Sequence, residues 1–144
     1  MKTIAEKAAE MAAVFSSFED WLDKYNYIIE IGKTLPAFDD SKKIPSNLIT
    51  GCQSQVWITA AYNDGTVSFE GDSDALITKG IAAILIQVMS GSTPDEIIQC
   101  DMKFIDDIGL REHLSPTRAN GLNGMIKQMK LYALAFKTKF EKTS

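Results

Sequence analysis

The sequence predicts an α+β fold: a small antiparallel β-sheet packed on one face by helices, with helices at both ends of the chain. Three observations carry this. Residues 4–32 place apolar side chains at helical spacing, Ile4, Ala8, Met11 and Phe15, then Trp21 or Leu22, Tyr25, Ile28 and Ile29. Residues 55–70 change to β-branched and aromatic types on either side of Asn63-Asp64-Gly65, the composition of a tight hairpin turn. From Ala75 the helical pattern returns and continues to about Phe140. With 144 residues, 45% of them apolar, the chain is expected to form one domain over 1–144, large enough to bury a proper core.

Each element has its own signals. Thr3-Ile4-Ala5-Glu6 is a capping-box pattern that opens the first helix. Ser16 and Ser17, followed by Glu19 and Asp20, read as the cap of the second, and Gly32 as its stop. Residues 33–46 carry Pro36, Pro45, Asp39-Asp40 and Lys42-Lys43 without periodicity and read as a surface connection. Leu48-Ile49 is expected to be extended, Gln55 to Tyr62 to form a strand, and Thr66 to Glu70 to return antiparallel to it, leaving one face of the hairpin solvated. Gly71-Asp72-Ser73-Asp74 reads as the cap of a helix from Ala75 to Met89, whose unbroken apolar run predicts burial on nearly all sides. Gly80 inside that helix forgoes helix propensity and points to a close approach by another backbone. Gly91 ends it. Thr93-Pro94-Asp95-Glu96 caps a short helix to about Cys100, Phe104 to Ile108 forms another stopped by Gly109, and Ser115-Pro116 begins the last. In that last helix Leu122, Met125, Ile126, Met129, Ala133, Phe136 and Phe140 make one stripe, with Gly121 and Gly124 permitting tight contact near its start.

Composition narrows the function classes. Net charge is −4 and the lysines are scattered, which argues against nucleic acid or an anionic membrane and for a protein or small-molecule partner. The longest apolar run, Ile81 to Ile86, is far too short to span a bilayer. The start MKTIAEKAAEM is too charged for a signal peptide and a chain of this size needs no disulfide, so a reducing cytosol is expected. Two cysteines and one histidine, far apart in sequence, do not make a structural zinc or iron site, and no glycine-rich phosphate loop is present.

The chemistry therefore centres on Gly51-Cys52-Gln53-Ser54-Gln55-Val56-Trp57, a thiol flanked by glycine and small polar residues just before a strand. On spacing alone Cys52 reads equally as a displayed thiol or as a packed small hydrophobe. Cys100, among Ile97, Ile98 and Phe104, reads as buried. His113 is formally available as a base for Cys52, although its place just before a helix start suits an ordinary surface or packing residue.

Three blocks together resemble the SufE family: the cysteine block above, Phe69-Glu70-Gly71-Asp72-Ser73-Asp74-Ala75 leading into Ile77-Thr78-Lys79-Gly80-Ile81, and His113-Leu114-Ser115-Pro116-Thr117-Arg118-Ala119-Asn120-Gly121-Leu122. They cover nearly the whole chain in the right order. The resemblance to SufE and its CsdE relatives implies a sulfur acceptor in iron–sulfur cluster assembly, with a fold similar to the IscU scaffold; the chain lacks the three-cysteine set such a scaffold uses, which favours a carrier. It implies a SufS- or CsdA-like cysteine desulfurase as donor and a SufBCD-like scaffold complex as recipient. It implies no cofactor on this chain, the pyridoxal phosphate belonging to the desulfurase; the free protein is expected as a monomer or a weak homodimer, between which the sequence does not decide. Cys52 matches the family's essential cysteine, supported by Gly51, Gln53 and Ser54. Arg118 matches its arginine at the last helix start, read either as thiolate stabiliser or as an ordinary ion-pairing residue. Asp74, Lys79 and Trp57 are second-rank candidates for partner contact; Trp57 otherwise reads as packing, Asp74 as a helix-terminus charge and Lys79 as solvated. Two other readings remain, a self-sufficient thiol enzyme using Cys52 and His113, and a non-covalent regulator of a desulfurase.

Overall fold

The computed structural model describes residues 3–49, 54–110, 112 and 114–140. In order, the elements are α1 (Ile4–Ser16), α2 (Trp21–Gly32), two single 3-10 turns (Asp40–Lys42 and Pro45–Asn47), β1 (Val56–Asn63), β2 (Thr66–Ser73), α3 (Leu76–Met89), α4 (Pro94–Gln99), α5 (Lys103–Asp107) and α6 (Pro116–Phe140). β1 and β2 form a two-stranded antiparallel sheet, so the α+β expectation holds.

α3 is the centre of the molecule. Its apolar run leaves no face suited to water, and α2, β2, α1 and α6 all lie against it. The closest of these approaches is made by glycines. A Cβ on Gly80 would sit 2.7 Å from the carbonyl carbon of Ile28 in α2, and one on Gly32 would sit 2.8 Å from the backbone nitrogen of Gly80. Gly32 is thus the last residue of α2, in contact with α3, and the cap position that follows it, Lys33, is right-handed. The close backbone approach expected at Gly80 is present, and Gly32 supplies the other half of it.

The hairpin turns on Asp64 and Gly65, with φ of 51° and 83°, the two positive values that a two-residue turn of matching twist requires. Its register pairs Asn63 with Thr66 and Ile58 with Gly71. Val56, Ile58, Val67 and Phe69 therefore share the inner face and join the core, while Ser68 and Glu70 on the alternate face are exposed. Both edges of the hairpin are partly covered. Leu48 bridges to Trp57 beside β1, and Val67 in β2 exchanges hydrogen bonds with Gly91 and Ser92. At the far end of β1 Tyr62 stacks on Phe140, 4.6 Å between ring centroids, and the Tyr132 hydroxyl donates to the Ile58 carbonyl, which fixes α6 along the edge of β1.

Three expectations need correction. The cap of α2 is Asp20, whose carboxylate accepts from the Asp23 N–H; the Ser16 and Ser17 hydroxyls instead donate back to carbonyls of α1. Leu48-Ile49 makes a single bridge, because two turns of 3-10 helix precede it and leave too short an extended segment for a strand. Gly71-Asp72-Ser73-Asp74 is not a helix cap: β2 runs on through Ser73, since Gly71 has no side chain to collide with the Trp57 carbonyl, 3.0 Å from where a Cβ would lie. α3 consequently starts at Leu76 with no side-chain cap at Ala75. The capping boxes of α1 and α4 and the positive-φ stops at Gly91 and Gly109 agree with expectation.

Gly80→Ala is expected to destabilise the fold by about 2 kcal/mol despite alanine's better helix propensity, because the added methyl meets backbone that cannot yield. Urea denaturation of the variant checks this; a midpoint at or above the parent's would show that α2 can move away from α3.

Candidate functional site

Gly51, Cys52, Gln53 and His113 lie outside the described residues, and the site is defined by what surrounds their positions in the chain. On one side of the 50–53 segment, the N–H of buried Ile49 donates to the Val56 carbonyl at 2.8 Å. On the other side Gln55 is held at three points. Its N–H donates to Asp74 Oδ1 at 3.0 Å, and its carbonyl accepts from the Asp74 N–H at 3.2 Å and from the Ser73 hydroxyl at 2.8 Å. Ser73 Oγ in turn accepts from the Ala75 N–H at 3.2 Å. Both anchors of the segment therefore belong to the hairpin and to the turn that leads from it into α3. Asp74 is exposed, as a partner contact would be, and its carboxylate is engaged in the backbone of Gln55.

Next to this anchor lies a cavity of about 40 Å³ lined by Ser54, Thr78, Ile81, Thr117, Arg118, Gly121 and Met125. A single water needs roughly 10–15 Å³ of such volume, so there is room for about three atoms of that size. Two of the sequence-derived candidates, Ser54 and Arg118, meet here, brought from the start of β1 and the first turn of α6. The backbone N–H of Arg118 donates to the Ser115 hydroxyl at 3.3 Å, which ties that turn down at its entry. The walls are of two kinds. Ser54, Thr78, Thr117 and Arg118 are residue types that can donate to an anionic or strongly polarisable atom, while Ile81 and Met125 are apolar. Thr78 and Thr117 were not singled out from the sequence. Thr78 is legible in retrospect, as a polar residue only 6% exposed inside the apolar run of α3.

Lys79 and Trp57 belong elsewhere. Trp57 stands opposite Asp72 in the sheet register, on the face away from the core, and is nevertheless only 9% exposed. The connection between α2 and β1 covers it, with Lys43 Nζ 5.3 Å from the ring centroid. Asp72 ties the arrangement together, pairing with Lys43 at 3.2 Å and with Lys79 at 3.4 Å. Lys79 is therefore neither simply solvated nor at the cavity. Trp57 packs, as one of its two readings had it, but under this strap and outside the main core. Burial pushes the Asp72 carboxyl up, and the Ser73 N–H together with Lys43 and Lys79 more than offsets this, so it titrates below the usual aspartate range.

Cys100 is half-buried. Its thiol donates to the Ile97 carbonyl at 3.3 Å and lies 3.3 Å from the sulfur of Met102. Burial pushes its titration up, against smaller opposing contributions led by Lys130. Such surroundings favour the neutral thiol, in line with the inert role expected for it. Among the described residues no three His, Cys, Asp or Glu side chains gather as a metal site, and no helix is long and apolar enough to cross a membrane.

The depressed titration of Asp72 has a definite pH signature. Its contribution is present above the unfolded-state value of about 3.9 and is lost as pH falls through the lower folded-state value. Asp72→Asn is thus expected to be less stable than the parent at neutral pH, with the gap closing only in acid, below about pH 4. Paired thermal melts across this range test it, and a gap that persists unchanged into strong acid would contradict the assignment.

Comparison with known proteins agrees with the fold and supplies the family. The family model described as "SufE: Fe-S metabolism associated domain" matches residues 9–133. An uncharacterized SufE-like protein of Synechocystis sp. is 40% identical over 134 residues, which cover 93% of this chain and 84% of that protein. The solution structure of a hypothetical protein from Thermus thermophilus superposes with a TM-score of 0.77 at 19% identity, over 92% of this chain and 96% of the other, a likeness of fold alone. With nearly the whole sequence matched by the family model and by a close relative, the chain belongs to the SufE family, whose domain is associated with iron–sulfur metabolism.

Proposed function

We propose that this protein is a sulfur carrier that takes persulfide sulfur from a cysteine desulfurase onto Cys52, stimulates that enzyme by relieving it of its product, and delivers the sulfur to an iron–sulfur scaffold complex. The observation that carries the reading is the small cavity at Ser54, two residues beyond Cys52 in the sequence, lined by Thr78, Thr117 and Arg118 beside apolar Ile81 and Met125 in a chain of the SufE family.

The transfer needs no oxidant. The Cys52 thiolate attacks the outer sulfur of the desulfurase persulfide, a new S–S bond forms on Cys52, the old one breaks, and the desulfurase cysteine leaves as a thiolate. An ordinary thiol, with a pKa of about 8.5, is mostly protonated at neutral pH, so the step gains from donors that favour the anion. Arg118 and the hydroxyl side chains of Ser54, Thr78 and Thr117, residues that line the cavity, would supply such donors. The same cavity would shelter the persulfide from stray thiols and oxidants between the two partners. The pyridoxal phosphate that cleaves cysteine belongs to the desulfurase; this chain acts by positioning, anion stabilisation and exclusion of water.

Incubation with desulfurase and cysteine is expected to add one sulfur atom at Cys52 and none at Cys100, as read by intact mass and peptide mapping. Cys52→Ser should keep the fold and lose both the added sulfur and the stimulation. Arg118→Ala should slow sulfur uptake about tenfold, with partial recovery in Arg118→Lys. Sulfur found on Cys100, or a serine variant that still stimulates the desulfurase, would replace the carrier reading with another thiol or with a non-covalent regulator.

A further inference from the structure

Among the described residues, none covers the outward face of α6. Leu131 and Leu134 are 47% and 50% exposed, and with Ala135, Thr138 and Lys139 they line one shallow surface depression. The spacing 131, 134, 138 is the three-then-four step of a helix-packing seam, which presents ridges to a second helix rather than to a sheet or a small molecule. Lys127, exposed one turn before Leu131, and Lys139 at the other end give the seam cationic flanks.

Charge decides what covers it. α6 carries Arg118, Lys127, Lys130, Lys137 and Lys139 and no carboxylate from Pro116 to Phe140, although the chain as a whole has a net charge of −4. Lys130 is engaged with the Cys100 carbonyl and Lys137 with Asp95, both on the inner side where α4 packs. Lys127 and Lys139 stay with the seam. A second copy of this chain would bring the same cations to the contact in either helix orientation, a like-charge juxtaposition that disfavours self-pairing. Two leucines are too narrow an apolar face to hold a helix in a bilayer surface, and they stand where a nucleic-acid groove would need charge.

We propose that the outward face of α6 is a docking surface for an acidic amphipathic helix of a partner protein. The seam starts 13 residues beyond Arg118, about 20 Å along the helix at 1.5 Å per residue. A partner helix seated there leaves the cavity lined by Ser54 and Arg118 uncovered. This surface follows from the helix itself and does not depend on the transfer chemistry.

The test uses the full chain and two synthetic amphipathic peptides with the same leucine seam, one flanked by glutamates and one by lysines. Fluorescence anisotropy should show the glutamate peptide bound at least tenfold more tightly, weakening as salt rises, with NMR shift changes confined to the outward face of α6. Leu131→Asp with Leu134→Asp should abolish binding while leaving desulfurase stimulation unchanged, and Lys127→Glu with Lys139→Glu should reverse the peptide preference. Equal binding of the two peptides, shifts that map elsewhere, self-association removed by the leucine variant, or preferential binding to phosphatidylglycerol vesicles would each overturn the proposal.

Discussion

The approach of α2 to α3 at Gly32 and Gly80 is the contact on which the remaining structure depends. α3 is too apolar to leave any side in water, and one of its sides can be closed by α2 only if backbone meets backbone. Once that side is sealed, the inner face of the hairpin occupies a second and α1 and α6 the rest. A side chain at either glycine would push α2 outward and open a gap along the middle of the core. Such a gap is costly because the lining atoms lose their dispersion partners as well as their shelter from water.

The site follows from this arrangement. Because α3 is central, its first turns lie between the start of β1 and the start of α6, and Thr78 is brought to the place where Ser54 and Arg118 meet. The turn from β2 into α3 has a second duty: Ser73 and Asp74 hold the backbone of Gln55. Helix start and loop anchor are thus one piece of structure. On the opposite face of the hairpin, Asp72 gathers Lys43 and Lys79 and closes the α2–β1 connection over Trp57. Trp57 is two residues from Gln55, so the strand that carries the segment containing Cys52 is pinned from both of its faces.

Helix boundaries set by capping chemistry were legible in the sequence because a cap is a local contract between neighbours, as in Thr93 with Glu96. The hairpin was legible for the same reason, since Asp64-Gly65 fixes its own backbone. Misreadings came where two local meanings compete. Gly71-Asp72-Ser73-Asp74 has the composition of a cap, yet the strand partner supplied by Trp57 and Ile58 extends β2 through it, and no local rule reveals that partner. Lys79 and Trp57 belong to the strap across the outer face, which depends on a pairing between residues 43 and 72 that sequence spacing does not encode. The meeting of Ser54 with Arg118 is likewise long-range, and only the family resemblance pointed to it. Thr78 was overlooked because a threonine within an apolar run looks like tolerated filler until its neighbours are known.

Cys100 shows how this fold holds a thiol in its neutral form. Around Cys100 burial opposes ionisation and outweighs Lys130 and the Met102 and Cys100 backbone groups, which favour the anion, while the Ile97 carbonyl accepts a hydrogen bond from the neutral thiol. Lys130 lies close enough to favour the anion, but it is spent on the Cys100 carbonyl rather than aimed at the sulfur. The cavity beside Ser54 is lined instead by Thr78, Thr117 and Arg118 as well as Ser54, residue types that can donate to an anion. A thiol that must ionise to attack a persulfide gains from donors of this kind and loses in the surroundings of Cys100.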